Sequence, residues 1–315
     1  MYKVALVGVG GISGAHIPAW EGTDNAELVA LCDIRPERTE KFAETKHIYT
    51  DFEEMLEKEE FDILDICLPT YLHADYAIKA MECGKHVICE KPISLREEDV
   101  DRVYNTAKKN NVKFMVAHVL RFWPEYELLK EIYDTKKYGK LLSGTMTRLG
   151  CYPRWSWDGW MMDEKRSGLV PFDLHIHDLD YMVYAFGKPE VAYKYRSQLP
   201  DQDFLTINYN FGEFSINTES SWYATSYPFT AEFRFQFENA LVANENGKMI
   251  IYLRDDEKID LSADAEGDTG EINLPKSDAY ANEIKYFFEC IENDKPVDKF
   301  DPDELKCVLN IINNL

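Results

Sequence analysis

In the segment Asp173-Leu-His175-Ile-His177-Asp178-Leu-Asp180 an aspartate and a histidine stand four residues apart. On a helix Asp173, His177 and Asp180 share one face, and His175 points roughly the opposite way. A carboxylate beside an imidazole holds one ring tautomer and raises its basicity, the requirement for general acid–base chemistry. The plain alternative is a solvated helix start with Asp173 as its N-cap. His-x-His among acids can also bind zinc or iron, but both rings face one way only on a strand, and the Leu, Tyr and Met pattern that follows is helical. No metal is expected.

Glu90-Lys91-Pro92 follows His86-Val-Ile-Cys89, a short apolar strand. The carboxyl end of a parallel strand is where doubly wound sheets bind ligands, so Lys91 is placed to meet a substrate, a cofactor or an acid. Pro92 fixes the backbone that aims it, and a cis Lys91–Pro92 bond is compatible with the small cost of cis at X–Pro. A surface lysine in a turn is the alternative.

Residues 1–33 read strand, glycine turn, helix, strand, acid. Lys3-Val-Ala-Leu-Val leads into Gly8-Val-Gly10-Gly11-Ile12-Ser13-Gly14, and Leu28-Val-Ala-Leu-Cys32 ends in Asp33. Gly8 supplies a tight turn, Gly10 lets the backbone approach phosphates, and the helix N-terminus offers N–H groups to their charge. Asp33 stands where an acid bonds a ribose 2′-hydroxyl and repels a 2′-phosphate, favouring NAD over NADP. Ser13 occupies the third glycine position. The candidate cofactor contacts are Gly8, Gly10, Gly11, Ile12, Ser13 and Asp33, joined from neighbouring strand ends by Pro69, Thr70, His73, Glu90 and Lys91. Thr70 and His73 serve equally well as caps of the next helix. The loop Tyr152-Pro-Arg154-Trp-Ser-Trp157-Asp-Gly-Trp160 is dense in aromatics and suits the wall of a polar pocket, or else an interface patch. Arg154 and Trp160 are its candidate substrate contacts.

These residues need a frame. To about Ala117 strands and helices alternate, which means a doubly wound parallel sheet. From 140 onward, strand-like runs rich in Phe, Tyr, Thr and Ile follow one another through tight turns, with one helix from Leu174 to Phe186, implying a mostly antiparallel sheet. Two helices, Ala279 to Asn293 and Asp303 to Asn314, close the chain, and Asp255 to Gly270 reads as a polar, mobile loop. The fold class is α/β, with a nucleotide-binding domain over 1–120 and a second α/β domain over 121–315, whose final helix can pack back on the first.

The 315 residues carry 35 basic and 57 acidic side chains, a net charge of −22. With no Lys/Arg-rich run, nucleic acid and anionic membrane are not expected partners. The same field favours a neutral substrate, unless the acidity is no more than a solubilising surface. Seven scattered cysteines, never spaced C-x-x-C, read as reduced core residues. Residues 1–20 show no leader pattern and no apolar run approaches the roughly 18 residues a bilayer demands, so the cytoplasm is the expected compartment. Phe233, Phe235 and Phe237 alternate along one strand, and an open sheet face carrying them would call for a homo-oligomer, a dimer or tetramer; they could equally point onto the domain's own helices.

Taken together, the chain resembles the glucose–fructose oxidoreductase/inositol dehydrogenase (Gfo/Idh/MocA) family. The resemblance runs nearly end to end through Gly8-x-Gly10-x-x-Ser13-Gly14-x-His16, Pro69-Thr70-x-x-His73, Gly84-Lys85-His86-Val87 leading to Glu90-Lys91-Pro92, and Asp173-x-x-x-His177. It implies an N-terminal Rossmann domain, a C-terminal domain with an open sheet, and NAD(P)-dependent dehydrogenation of a sugar or cyclitol hydroxyl. It matches Lys91 to the family's catalytic lysine, and Asp173 and His177 to its aspartate and histidine; all three would also touch substrate. The expected reaction moves hydride between a secondary carbinol carbon and the nicotinamide. His177 takes the hydroxyl proton, Lys91 stabilises the developing alkoxide and Asp173 orients His177 or a hydroxyl. Lys91 as base with His177 as relay is the variant. The family commonly has glycine where this chain has His175, which would crowd the pocket or add a donor to it. Rival readings are a non-catalytic NAD-binding regulator, a metal-dependent hydrolase or lyase using His175 and His177, and a sugar-modifying enzyme in which NAD acts transiently during elimination or hydrolysis.

Overall fold

The computed structural model describes residues 1–262 and 278–315. The first sheet grows by alternation: β1 (Tyr2–Val7), α1 (Ser13–Glu21), β2 (Ala26–Cys32), β3 (His47–Tyr49), α2 (Phe52–Lys58), β4 (Ile63–Ile66), α3 (His73–Glu82), β5 (His86–Glu90), α4 (Glu98–Asn110) and β6 (Phe114–Ala117). All pairings are parallel, in the order β3-β2-β1-β4-β5-β6. The strand order reverses between β1 and β4, and their carboxyl ends open the crevice where such sheets bind ligands. Every residue of β4 and β6 is buried, as a parallel sheet covered on both faces demands. Local chemistry sets the helix ends. The Asp51 carboxylate accepts the Glu54 N–H at 2.8 Å to start α2. α4 has Glu98, Asp99 and Asp101 in its first turn, Lys108 and Lys109 in its last, and a left-handed Asn111 to stop it.

The second sheet follows α5 (Pro124–Thr135). It comprises β7 (Leu141–Cys151), then, past α6 (Glu164–Ser167) and α7 (Ile176–Phe186), the run β8 (Glu190–Leu199), β9 (Gln202–Asn210), β10 (Ser215–Tyr223), β11 (Thr230–Phe237), β12 (Ala240–Glu245), β13 (Lys248–Leu253) and β14 (Lys258–Asp260). The order is β14-β13-β12-β11-β7-β10-β9-β8, and β7–β10 is the one parallel pair among the described strands of this sheet. Strand β14 falls inside the segment Asp255 to Gly270 that the sequence reads as a loop; residues 263–270 of that segment lie outside the described residues.

Phe233, Phe235 and Phe237 are at most 2% exposed. Tyr126 of α5 meets Phe233 edge-on at 5.0 Å, and Phe186 of α7 lies 5.6 Å from Phe235. The row therefore packs inward onto helices, and its alternation no longer argues for a homo-oligomer. The chain closes with α8 (Ala279–Glu292) and α9 (Pro302–Asn313).

By compactness, residues 1–119 group with 278–306, and residues 120–262 with 307–315. A single cut near 120 thus fails to describe the tail. α8 packs on α1, and Phe288 meets Tyr2 edge-on at 5.5 Å, because its buried face of Ile284, Phe287, Phe288 and Ile291 needs an apolar partner. Among the described residues no helix is long and apolar enough to cross a membrane.

Candidate functional site

In the first unit the glycine turn joins β1 to α1. Gly8 has φ of +93°, and a Cβ there would lie 2.6 Å from the Cys67 carbonyl oxygen, so only glycine fits beside β4. A Cβ on Gly10 would meet nothing within 4 Å. That open side is where a pyrophosphate can approach backbone N–H groups at the start of α1. Ser13 does not obstruct it: the side chain is buried and its hydroxyl donates to the Gly10 carbonyl at 2.7 Å. Asp33 closes the cradle. One carboxylate oxygen accepts the Val9 N–H at 2.8 Å and the other the Arg35 N–H at 2.9 Å, so the turn itself positions the acid. The Arg38 guanidinium donates to the Val9 carbonyl at 2.8 Å. These residues fit the adenosine and pyrophosphate of a dinucleotide.

At the ends of β4 and β5 several expected cofactor contacts turn inward instead. His16 of α1 lies fully buried between two carboxylates, Nδ1 at 2.8 Å from Asp65 and Nε2 at 3.0 Å from Glu90. Burial pushes its pKa down, but the Asp65 charge and hydrogen bond outweigh it and hold the ring well above its usual value. It is therefore an imidazolium that donates to both acids. Glu90, whose burial alone would raise its pKa, is held below the usual range by the hydrogen bond from His16. Its second oxygen accepts the Lys91 N–H at 3.0 Å, so Glu90 anchors the Lys91 turn; its oxygens are engaged within the protein. The Trp20 indole N–H also bonds Asp65, at 2.7 Å. His16, Asp65 and Cys67 have the donor types of a metal site, but the His16–Asp65 hydrogen bond already occupies the ligand atoms. His73 behaves like Glu90: its ring nitrogens sit 2.7 Å from the carbonyl oxygens of Leu68 and Pro92, tying two strand-end loops together. Thr70 is buried and Pro69 half-buried in the turn before α3. The Lys91–Pro92 bond is cis. Lys91 is half-buried, whereas Glu90, Pro92, Ile93 and Ser94 around it are buried.

In the second unit the acid–histidine segment is not plain α-helix. Pro171–His175 forms one π-helical turn that runs directly into α7. Such turns widen the backbone ladder and recur at functional sites. Between Pro171 and Val183, Asp173 and His177 are the two residues that keep solvent exposure. Asp180 leaves that face. It is fully buried and takes the Arg121 guanidinium on both oxygens, at 2.9 and 2.7 Å. Asp178 holds Arg148 at 2.7 Å.

His175 neither crowds the pocket nor lends it a donor. It is fully buried against the sheet, with Nε2 at 2.7 Å from the Tyr209 hydroxyl and Nδ1 at 3.5 Å from Ser220. Burial, reinforced by the Arg148 charge, lowers its pKa to about 3, so the ring is neutral and accepts a hydrogen bond from the tyrosine hydroxyl. In the aromatic loop, Arg154 is exposed and pairs with Asp201 at 3.1 Å, and Trp160 is half-buried.

The sequence does not single out Asp65, Trp20 or Tyr209, and it offers Arg121 as a phosphate contact rather than as the partner of Asp180. An acid inside the apolar run Ile63-Leu-Asp-Ile66 was the available signal, since a buried carboxylate must have a partner.

Comparison with known proteins fits this frame. Residues 2–118 match the model of the oxidoreductase family with an NAD-binding Rossmann fold, and residues 126–243 match the GFO/IDH/MocA C-terminal domain. The chain is 30% identical to myo-inositol 2-dehydrogenase of Thermotoga maritima, over 59% of this chain and 55% of the relative. It is 27% identical to glucose-6-phosphate 3-dehydrogenase of Bacillus subtilis, over 63% of this chain and 58% of the relative. The matched stretch thus spans a little over half the length of these curated relatives. In fold it is similar to the crystal structure of myo-inositol 2-dehydrogenase from Lactobacillus plantarum, with a TM-score of 0.80 at 20% identity over 99% of this chain and 95% of that one. The glycine cradle, the paired sheets and both domain matches show that the chain belongs to the Gfo/Idh/MocA family of oxidoreductases, with an NAD-binding Rossmann fold.

Proposed function

We propose that this chain oxidises a secondary hydroxyl of a neutral sugar, glycoside or cyclitol. The observation that carries the reading is selective exposure: Asp173 and His177 stay accessible in an otherwise buried segment, and Lys91 does so in another. A bound NAD supplies the hydride acceptor. His177 takes the hydroxyl proton, Asp173 orients the ring, and the Lys91 ammonium stabilises negative charge growing on the oxygen.

NAD is expected to bind more tightly than NADP, because Asp33 is a buried carboxylate fixed at the end of β2 and a 2′-phosphate beside it would face its charge. Asp33→Ala should narrow the gap, leaving Arg35 and Arg38 as nearby cations. Calorimetric titration of both cofactors checks this; tighter NADP binding by the unaltered chain overturns it.

The substrate is proposed to be neutral because the candidates for a phosphate clamp are engaged elsewhere. Arg121 is buried on Asp180, Arg154 pairs with Asp201, and Arg166 pairs with Asp158 at 3.0 Å. Of Arg121, Arg154, Lys165 and Arg166, the basic residues offered for a phosphate by the sequence, that leaves the exposed Lys165. A panel that pairs each sugar or cyclitol with its phosphorylated counterpart, read by NADH absorbance, should show higher kcat/KM on the neutral member. The Bacillus relative is named for a phosphorylated sugar, so preference for the phosphorylated member of any pair is the result that rejects neutrality.

A further inference from the structure

A cavity of about 330 Å³ opens in the second unit between the end of β7 and the β8–β9 hairpin. That volume falls in the range of small-molecule sites. Its wall includes Tyr152, Met162, Leu169, Gln198, Gln202 and Asp203. Two carboxamides offer paired donors and acceptors, the set that reads sugar hydroxyls, and the Tyr152 ring and Met162 offer flat apolar surface to C–H faces. The one charged lining group is already compensated: Asp203 is 2% exposed and takes the Arg196 guanidinium on both oxygens, at 2.9 and 2.8 Å. Among the described residues that line it, none is lysine or arginine. The wall therefore suits an uncharged, hydroxyl-rich ligand; the Arg154 guanidinium, 5.7 Å from the centre of the Tyr152 ring, is paired with Asp201.

The cavity is joined to the acid–histidine segment by backbone. Asp203 also accepts the Val170 N–H at 3.2 Å, directly before the π-helical turn that carries Asp173. Val170 lies directly after the wall residue Leu169 and three positions before Asp173, so the cavity wall runs on in the chain into the segment that carries the acid and the histidine. The wall is strained where it meets that turn. Gly168 has φ of +73°, and Leu169, a buried leucine, has φ of +59°, a conformation an L-residue of this kind rarely adopts. A Cβ on Gly168 would lie 2.2 Å from the Phe172 ring, so the turn is over-determined by packing, and strain of this sort concentrates at ligand sites.

We infer that this cavity is the subsite for the second ring of a glycoside whose first ring is oxidised at His177. The inference rests on the dehydrogenase reading and sharpens it from a free sugar to a sugar carrying an uncharged, hydroxyl-rich aglycone. Gln198 and Gln202 hydrogen-bond the aglycone hydroxyls, and Tyr152 packs on its ring.

The test compares D-glucose with cellobiose and D-galactose with lactose, all with NAD, for the wild type and for the double variant Gln198→Ala/Gln202→Ala. One disaccharide should show a lower KM than its free hexose. The variant should raise that KM about tenfold, the loss of two ordinary hydrogen bonds, and change the hexose KM by less than about twofold. Saturation-transfer NMR of each disaccharide on the NAD-loaded protein reads binding without turnover. Loss of that signal in the variant supports the subsite even if no sugar is oxidised, an outcome that rejects the dehydrogenase reading alone. Equal KM changes for hexose and disaccharide, equal NMR signals from wild type and variant, or no preference for a disaccharide overturns the subsite.

Discussion

His177→Ala and Lys91→Met are each expected to lower turnover by about 10²- to 10⁴-fold, the usual scale for a lost acid–base group or charge stabiliser. Fold and cofactor affinity should stay near wild type. Lys91 and His177 are each half-buried among buried neighbours, so truncation opens no sealed cavity. Around Lys91 the turn is anchored by its own backbone N–H on Glu90, which methionine retains. Around His177 the helix is fixed by Asp178 and Asp180 on their arginines, which alanine does not disturb. The measurements are kcat on the best substrate of the panel, NAD affinity by fluorescence titration and the unfolding midpoint. Near wild-type kcat in either variant removes that residue from the chemistry. A fall in kcat matched by a large fall in midpoint would instead make the residue structural.

Parts of this site could be read from the sequence because their constraints are local. Gly8 is needed by its own backbone angle and by one contact with the next parallel strand, and the strand, turn and helix around it are contiguous. Asp173 and His177 lie four apart and share the exposed side of their segment. What escaped the sequence depends on partners far along the chain. Asp180 also falls near that side by helical spacing, but Arg121, 59 residues earlier, draws it into the core. Glu90 stands beside Lys91, yet His16, 74 residues earlier, turns its carboxylate inward. Alternation told that Phe233, Phe235 and Phe237 share a face, but only the packing of Tyr126 and Phe186 shows that this face is covered. β3 and α2 are three and seven residues long, too short for periodicity to stand out from the loops around them.

His175 gives the second large expected effect, on stability against acid. Its ring is fully buried, accepts the Tyr209 hydroxyl and faces the Arg148 cation, so its folded pKa is about 3 against an ordinary 6.5. Below pH 6.5 the unfolded chain binds a proton at this position and the native chain does not, so stability rises with pH and is lost as pH falls. The loss approaches about 1.4 kcal/mol per pH unit, roughly 3 kcal/mol between pH 6.5 and 4, a large fraction of a typical folding free energy. Native carboxylates with lowered pKa, such as Glu90 and Asp99, add slope of the same sign at lower pH, whereas His16, held protonated, contributes slope of the opposite sign. A variant isolates the histidine from these. In His175→Gln the amide keeps an acceptor for Tyr209 but takes up no proton, so the variant loses the slope that His175 contributes. Urea unfolding of both proteins at half-unit steps from pH 7 to pH 4 should give free energies whose difference changes by about 3 kcal/mol across the range. Parallel pH profiles for the two proteins would show that His175 is protonated alike in the folded and unfolded chains, and would contradict its placement as a neutral core side chain.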